Sequence, residues 1–155
     1  MTPDSSLRFA LAAWLCLFIA ACASTVPAPS DPQLQHTVVL EALGQVGRPY
    51  RYGGTTPEGF DCSGLVQFAY AQAGVKLPRS TREQYRVGTP VDRTALEPGD
   101  LLFYRFNSGP VDHVALYLGD GEAIHAPASG RAVIVAGVDL PYWQNHFVQA
   151  VRVLH

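Results

Sequence analysis

Apolar positions recur at helical spacing through the first half of the chain. They follow a helical stripe between residues 34 and 46 that ends at Gly44 or Gly47, and a second helical run extends from Asp61 to Gly74. Ser80 and Glu83 complete an S-x-x-E capping box, which predicts a short helix reaching about residue 87. Helices are therefore predicted in this half of the chain, with a turn-rich stretch over residues 47–60 between the first two.

From Asp100 onward the apolar residues form short runs separated by Gly, Pro, Asp and Asn. These runs predict strands over residues 101–106, 111–118, 122–126, 132–138 and 148–154. Helices followed by a strand meander indicate an α+β fold, with N-terminal helices packed on a mainly antiparallel sheet of about five strands.

The N-terminal residues 1–21 have the pattern of an export signal. One basic residue, Arg8, precedes an apolar run that is too short to span a bilayer comfortably. The run ends in Ile19-Ala20-Ala21-Cys22, which looks like a bacterial lipobox and predicts lipidation of Cys22. The alternative is an ordinary secretory signal followed by an incidental cysteine.

Residues 22–32 are rich in Ala, Ser, Thr and Pro, and they predict a flexible tether before a folded domain over residues 33–155. A lipidated Cys22 would anchor the protein to a membrane. Ala23 stands where an Asp would be the familiar signal for inner-membrane retention. The expected location is the periplasmic face of the outer membrane, if the source is Gram-negative.

Composition excludes several classes of protein. The net charge of -2 on 155 residues leaves no broad basic field, so no nucleic-acid partner is expected. A hydrophobic content of 48% excludes a disordered chain, and the lack of long apolar runs beyond the N-terminus excludes a multi-span membrane protein. We expect a single-domain monomer.

The three cysteines have different expected fates. Cys16 is removed with the signal and Cys22 is acylated, so Cys62 remains alone in the mature domain. An internal disulfide and a multi-cysteine zinc site are then excluded, and we expect neither a metal nor a cofactor, because no nucleotide-binding glycine motif is present. A lone Cys is ordinarily a small buried hydrophobe, but the residues around Cys62 favour a chemical role.

Cys62 stands at the predicted start of a helix, with Asp61 as the expected N-cap. The helix N-terminus is expected to lower the pKa of the thiol, and its free amides offer a site for an oxyanion. Gly64 would let substrate approach closely. A cysteine nucleophile also needs a base, for which histidine is the usual residue.

Two histidines, His113 and His125, lie on consecutive predicted strands joined around Gly119-Asp120-Gly121. The other three have weaker cases, and we expect His36, His146 and His155 to have surface or structural roles. Whether the two hairpin histidines share a face depends on the length of the turn between them.

If the loop holds three residues, so that Leu118 faces Glu122, both imidazoles lie on one face of the sheet within mutual reach. If the loop is a two-residue Asp-Gly turn, Leu116 faces His125 and the imidazoles point to opposite faces. A shared catalytic role therefore requires an odd-length loop, with Gly121 left-handed in a bulge.

Several motifs together resemble a known family. They are the sequences FDCSGLV from residue 60, DHVALY from residue 112, IHA from residue 124, PYRYGG from residue 49, LPRST from residue 77 and PGDL from residue 98. In this order they are similar to the NlpC/P60 family of cell-wall cysteine peptidases over about residues 36–155. The resemblance implies a reduced papain-like α+β fold.

The resemblance also implies roles for individual residues. Cys62 matches the nucleophile, His113 the general base and His125 the third, orienting residue. Tyr50 matches a tyrosine whose hydroxyl lies near the nucleophile and the oxyanion site. Further residues expected to position substrate or line the cleft are Asp61, Ser63, Arg79, Ser80 and Gln84.

The implied activity is a thiol endopeptidase acting on peptidoglycan stem peptides. Two bonds are open: the D-alanyl–diaminopimelate cross-link and the γ-D-glutamyl–diaminopimelate bond. Similarity of residues 141–154 to murein endopeptidases of the family, and the lack of an added wall-binding domain, favour the cross-link. The alternatives are an acyltransferase or amidase, a non-catalytic envelope binding module, and a structural lipoprotein with a buried Cys62.

Overall fold

The computed structural model describes residues 31–155. The predicted signal peptide 1–21, the lipidation at Cys22 and the tether as far as residue 30 lie outside the described residues. Helix begins at Pro32, one position before the domain boundary expected at residue 33. None of the helices in this part of the chain is long and apolar enough to cross a membrane.

Three of the four α-helices within residues 31–155 lie where the sequence predicts them. Helix α1 covers Pro32–Leu43, α2 covers Cys62–Gln72 and α3 covers Thr81–Gln84, whose N-terminus carries the predicted Ser80–Glu83 capping box. The fourth, α4, covers Pro141–Gln144 and was not predicted, because a single turn of helix is too short to show a periodicity.

A separate two-stranded hairpin is formed by β1 (Thr55–Thr56) and β2 (Gly59–Phe60). The main sheet of the described residues has six antiparallel strands, one more than the sequence predicts. They are β3 (Thr89–Val91), β4 (Leu101–Tyr104), β5 (His113–Gly119), β6 (Glu122–His125), β7 (Ile134–Gly137) and β8 (Phe147–Arg152). Their order across the sheet is β3-β8-β4-β5-β6-β7.

The additional strand, β3, contains Pro90, which argues against a strand when only the sequence is considered. β3 pairs with β8 alone and forms one edge of the sheet. At an edge, a proline can turn its missing N–H away from the ladder, so the strand tolerates it.

Each face of the sheet buries its own apolar cluster. On one face, α1 and α2 cover a core that includes Val38, Phe60, Leu65, Leu116 and Ile124. The opposite face carries a smaller cluster, rich in aromatic residues, that consists of Leu102, Tyr104, Ala115, Ala123, Val138, Trp143 and Ala150. The first cluster fixes α2 against the sheet, and the second surrounds the histidines described below.

A buried ion pair joins the last strand to the turn before β4. Arg152 donates from Nε to Oδ1 of Asp100 and from Nη2 to Oδ2, both at 2.8 Å, and it also pairs with Glu97 at 2.8 Å. Because the bidentate contact pairs the Arg152 guanidinium with the buried Asp100 carboxylate, it holds the end of β8 in register beside the start of β4.

Candidate active site

Cys62 is the first residue of α2, as the sequence predicts. Asp61 is the N-cap, and its side chain accepts hydrogen bonds from the backbone N–H of Gly64 at 2.7 Å and of Gly53 at 3.0 Å. The Cys62 Sγ lies 3.6 Å from the Thr81 hydroxyl, at the start of α3. The cap therefore fixes the helix end, and α3 supplies a polar neighbour for the sulfur.

Asp61, Ser63 and Arg79 form a network of their own behind the nucleophile. Arg79 donates from Nη2 to Asp61 Oδ2 at 2.6 Å, from Nη1 to Asp61 Oδ1 at 3.0 Å and from Nη1 to the Ser63 hydroxyl at 2.9 Å. Buried Gln84 donates to the carbonyls of Ser63 and Pro78. The structure places these side chains as supports of the helix terminus and not along the cleft.

Ser80, also expected to line the cleft, has its hydroxyl bonded to Glu83 in the capping box. Gly64 likewise has a structural role that differs from the expected one. A Cβ at this position would lie 1.9 Å from the Gly54 carbonyl oxygen. The glycine is required because α2 packs directly against the Gly54 turn, and substrate access is not the reason for it.

The two histidines of the β5–β6 hairpin share one face of the sheet, as the catalytic hypothesis requires. Leu116 pairs with Ile124, the register expected for a three-residue loop. The loop itself is a two-residue turn, Asp120-Gly121, in which both residues have positive φ angles of 51° and 75°.

A bulge explains how a two-residue turn produces the register expected for a three-residue loop. The ladder shifts between Tyr117 and Gly119, so Leu118 is the extra residue. The expectation of a three-residue loop with a bulge at Gly121 is therefore wrong in detail, although the resulting register is the expected one. The irregularity lies within β5, and Gly121 occupies the turn.

The imidazoles of His113 and His125 form a directly contacting pair. Nε2 of His113 lies 3.1 Å from Nδ1 of His125, and the ring planes are within 3° of each other. Trp143 packs parallel to His125 at 3.7 Å between ring centroids, while Tyr104 and Phe106 lie against His113. The aromatic residues hold both rings in one plane.

The sequence pattern does not predict Trp143 or Phe106 as site residues. The Tyr-Trp pair is visible in the sequence, but the contact of Trp143 with the imidazoles depends on α4. Of the other histidines, His146 stacks on Phe106 at 4.5 Å outside the pair, and His36 and His155 are exposed.

Burial controls the charge state of the site. It lowers the pKa of His113 to about 4 and that of His125 to about 2, with repulsion between the rings adding to the effect at His125. Burial raises the pKa of the Cys62 thiol, although hydrogen bonds from Thr81 and the Val114 amide act in the opposite direction. The expectation of a lowered thiol pKa is corrected, because burial outweighs the helix terminus.

Tyr50 is held next to the nucleophile by backbone pairing. Its N–H donates to the Arg131 carbonyl at 2.8 Å, and the residue bridges to Phe60, two positions before Cys62. Burial and the neighbouring Cys62 raise the pKa of Tyr50, so its hydroxyl stays protonated and can donate a hydrogen bond.

These groups meet in an open cleft of about 720 Å³. Tyr50, Cys62 and His113 lie along it. The remaining lining residues are Phe106, Asn107, Asp112, Ala126, Pro127, Ala128, Arg131, Ile134, Ala136, Leu140, Tyr142 and Trp143. Within residues 31–155, no group of three or more His, Cys, Asp or Glu side chains is placed to hold a metal ion.

A cysteine at a helix N-terminus, beside a histidine pair on an antiparallel sheet, is the arrangement of a papain-like cysteine peptidase. The sequence pattern that defines the NlpC/P60 family matches residues 47–152. The chain therefore belongs to the NlpC/P60 family.

Individual relatives support this assignment. Murein DD-endopeptidase MepH of Escherichia coli is 43% identical over 117 residues, which cover 72% of this chain and 43% of MepH. Gamma-DL-glutamyl hydrolase of Bacillus subtilis is 36% identical over 150 residues, covering 94% of this chain and 36% of that enzyme. The chain thus spans less than half the length of both proteins.

The fold of a solved relative also agrees. The crystal structure of an NlpC/P60 family protein from Bacillus cereus superposes with a TM-score of 0.75 at 34% identity, covering 82% of this chain and 42% of that one. The α+β architecture, with N-terminal helices on an antiparallel sheet, is therefore that of the family.

Proposed function

We propose that this protein is a peptidoglycan hydrolase, a thiol endopeptidase that cleaves a peptide bond in murein stem peptides. The observation that carries the proposal is the coplanar His113–His125 pair, in which His113 lines the same cleft as Cys62 at the N-terminus of α2. Family membership supplies the class of substrate.

The charge states described above define the first step. His113 is neutral near pH 7, because its pKa is lowered to about 4, and it can accept the proton of the Cys62 thiol as the sulfur attacks the carbonyl carbon. The tetrahedral oxyanion then meets the free backbone N–H at the start of α2 and the Tyr50 hydroxyl. The thiol need not ionise before substrate binds.

The same proton then completes acylation. Protonated His113 donates it to the leaving amine as the C–N bond breaks, which leaves a thioester on Cys62. Water enters the cleft, gives a proton to His113 and attacks the thioester carbonyl. Return of that proton to the sulfur releases the acid product and restores the resting pair.

We further propose the D-alanyl–diaminopimelate cross-link as the bond cleaved. Support comes from the similarity to MepH, which is named a DD-endopeptidase. The second candidate is the γ-D-glutamyl–diaminopimelate bond, and it is favoured by the similarity to gamma-DL-glutamyl hydrolase.

Digestion of defined muropeptides, with products identified by mass spectrometry, tests both the hydrolase activity and the choice of bond. Conversion of cross-linked dimers to intact monomers is expected for the cross-link, whereas cleavage within a monomer stem would support the second bond. The Cys62→Ala variant should fold normally by circular dichroism and release no product. Undiminished cleavage by Cys62→Ala, or intact substrates with the wild-type enzyme, would overturn the proposal.

We also propose that the enzyme is a lipoprotein anchored through Cys22 at the periplasmic face of the outer membrane. The support is the lipobox-like sequence before Cys22 and the absence of Asp at residue 23. Cell fractionation should recover the wild-type protein with outer membranes and the Cys22→Ser variant outside them. Identical fractionation of the two forms would contradict the anchor.

A further inference from the structure

One arginine in the cleft has no charged partner among residues 31–155. Among the described residues, Arg131 is the only Lys or Arg that lines the cleft. Its guanidinium makes no hydrogen bond, ion pair or ring contact within residues 31–155, and the side chain is exposed. A permanently charged, five-donor group therefore faces the substrate site with its donors available.

The backbone of Arg131 is fixed, although its side chain is not engaged. Its carbonyl accepts from the Tyr50 N–H at 2.8 Å, and its own N–H donates to the Ala128 carbonyl at 3.2 Å. The following residue, Ala132, bridges to Pro49. Arg131 and Tyr50 are thus held side by side on one rim of the cleft.

Other charges near the site are already paired. Arg79 is bound by Asp61, which removes it as a receptor for substrate. Asp112, the only Asp or Glu along the cleft in the described chain, accepts from the N–H groups of Phe106 and Asn107 and from the Asn107 side chain. Nothing in the described part of the chain pairs with the charge of Arg131.

The cleft also has apolar and aromatic side chains. Ile134, Leu140 and Tyr142 are apolar or aromatic side chains that line the same cleft, and each of them is exposed. A ligand that fits this site has an anionic group for Arg131 and aliphatic chain for these residues.

We propose that Arg131 is a specificity-determining residue that binds a free carboxylate of the stem peptide. The inference rests on the proposed function, which supplies the substrate. Two carboxylates have the required chemistry: the α-carboxylate of the γ-linked D-glutamyl residue and the free carboxylate of diaminopimelate. A guanidinium binds either one through two parallel hydrogen bonds, and it discriminates against the uncharged carboxamide.

Matched stem peptides test this inference and identify the carboxylate. One substrate carries both carboxylates, a second is amidated at the D-glutamyl residue, and a third is amidated at diaminopimelate. For the substrate with both carboxylates, Arg131→Gln should lower kcat/KM by about 10-fold to 100-fold, mainly through a higher KM. For the substrate amidated at the recognised position, the same variant should change kcat/KM little.

Arg48→Gln is the matched control, because Arg48 is exposed, does not line the cleft and neighbours the same backbone pairing. It removes the same charge and should leave kcat/KM unchanged for all three substrates. Equal effects of the two variants, or an Arg131→Gln loss that is equal for all three peptides, would overturn the assignment.

Binding measurements separate this inference from the proposed function. The Cys62→Ala variant should bind the substrate with both carboxylates without cleaving it, and adding Arg131→Gln should raise the Kd by about 10-fold to 100-fold. That result supports the carboxylate site whether or not the wild-type enzyme cleaves the bond proposed. An unchanged Kd would refute the carboxylate site and leave the hydrolase proposal standing.

Discussion

The imidazole of His125 has one hydrogen-bond partner within the described chain, the imidazole of His113. Nδ1 of His125 contacts Nε2 of His113, whereas Nε2 of His125 is buried without a hydrogen bond in residues 31–155. If His113 accepts the thiol proton on Nδ1, its Nε2 must carry a hydrogen and donate it to His125. His125 is therefore a positioning residue that fixes the tautomer of the base.

This role predicts an ordered series of substitutions. His125→Ala should lower kcat by about 100-fold with KM nearly unchanged, because the base loses its orientation and its tautomer preference. His125→Asn should recover most of that loss, since an amide oxygen can accept the same hydrogen bond. Steady-state kinetics on a muropeptide would measure both variants.

His146→Ala is the control for this series, because it removes an imidazole that stacks on Phe106 outside the pair. We expect it to affect kcat far less than His125→Ala does. If His125→Asn were as inactive as His125→Ala, positioning through the hydrogen bond would be refuted.

At this scale, the sequence was sufficient to nominate site residues, but it could not assign every contact between them. The separation of Cys62, His113 and His125 along the chain, and the motifs around them, sufficed to nominate the three. The sequence could not show which of Arg79 and Arg131 has a charged partner. Arg79 forms an ion pair with Asp61, whereas Arg131 has no such partner in the described residues. This difference arises only from tertiary contacts.

At the scale of elements, the β5–β6 hairpin shows what an apolar pattern leaves undetermined. Both possible loops preserve the alternation within β5, so the pattern alone cannot choose between them. The structure combines a two-residue turn with a bulge at Leu118, and a bulge leaves no separate mark in the pattern. The helices α1 and α2 were predictable because each is about three turns long and buries one apolar side.

The N-terminus of α2 yields a prediction about packing. Gly64→Ala should reduce the free energy of unfolding by about 1 to 3 kcal/mol, because the new methyl group would overlap the Gly54 carbonyl. The helix end that carries Cys62 must then move, so activity should fall as well. Urea unfolding and peptide hydrolysis would measure the two effects.

Gly44→Ala provides the comparison, since a Cβ there meets backbone oxygens only at 3.5 Å and the residue has a right-handed helical conformation. Its stability should be close to that of the wild type. Equal stabilities of the two alanine variants would contradict the account of Gly64.

At the scale of the whole molecule, the buried histidine pair couples folding to pH. Folding keeps His113 neutral with a pKa of about 4, whereas the unfolded chain has a histidine pKa near 6.5. The unfolded state therefore binds more protons below pH 6.5, and stability is lost as the pH falls toward 4. For His113 alone, the loss is on the order of 2 kcal/mol by pH 5.

Denaturant unfolding at pH 7 and pH 5 would reveal this dependence. The double variant His113→Gln, His125→Asn should show a smaller difference between the two pH values, because it lacks both titrating rings. An equally steep dependence in that variant would assign the effect to other groups.

The chain order of the site also has a consequence for biogenesis. Cys62 stands at the start of a helix in the first half of the described chain, while His113 and His125 belong to one hairpin in the second half. A nascent or partly assembled molecule that has either half alone contains a thiol without a base, or a base without a thiol. If the protein is the hydrolase proposed above, its activity arises only when α2 docks on β5, and an incompletely folded molecule has no complete site.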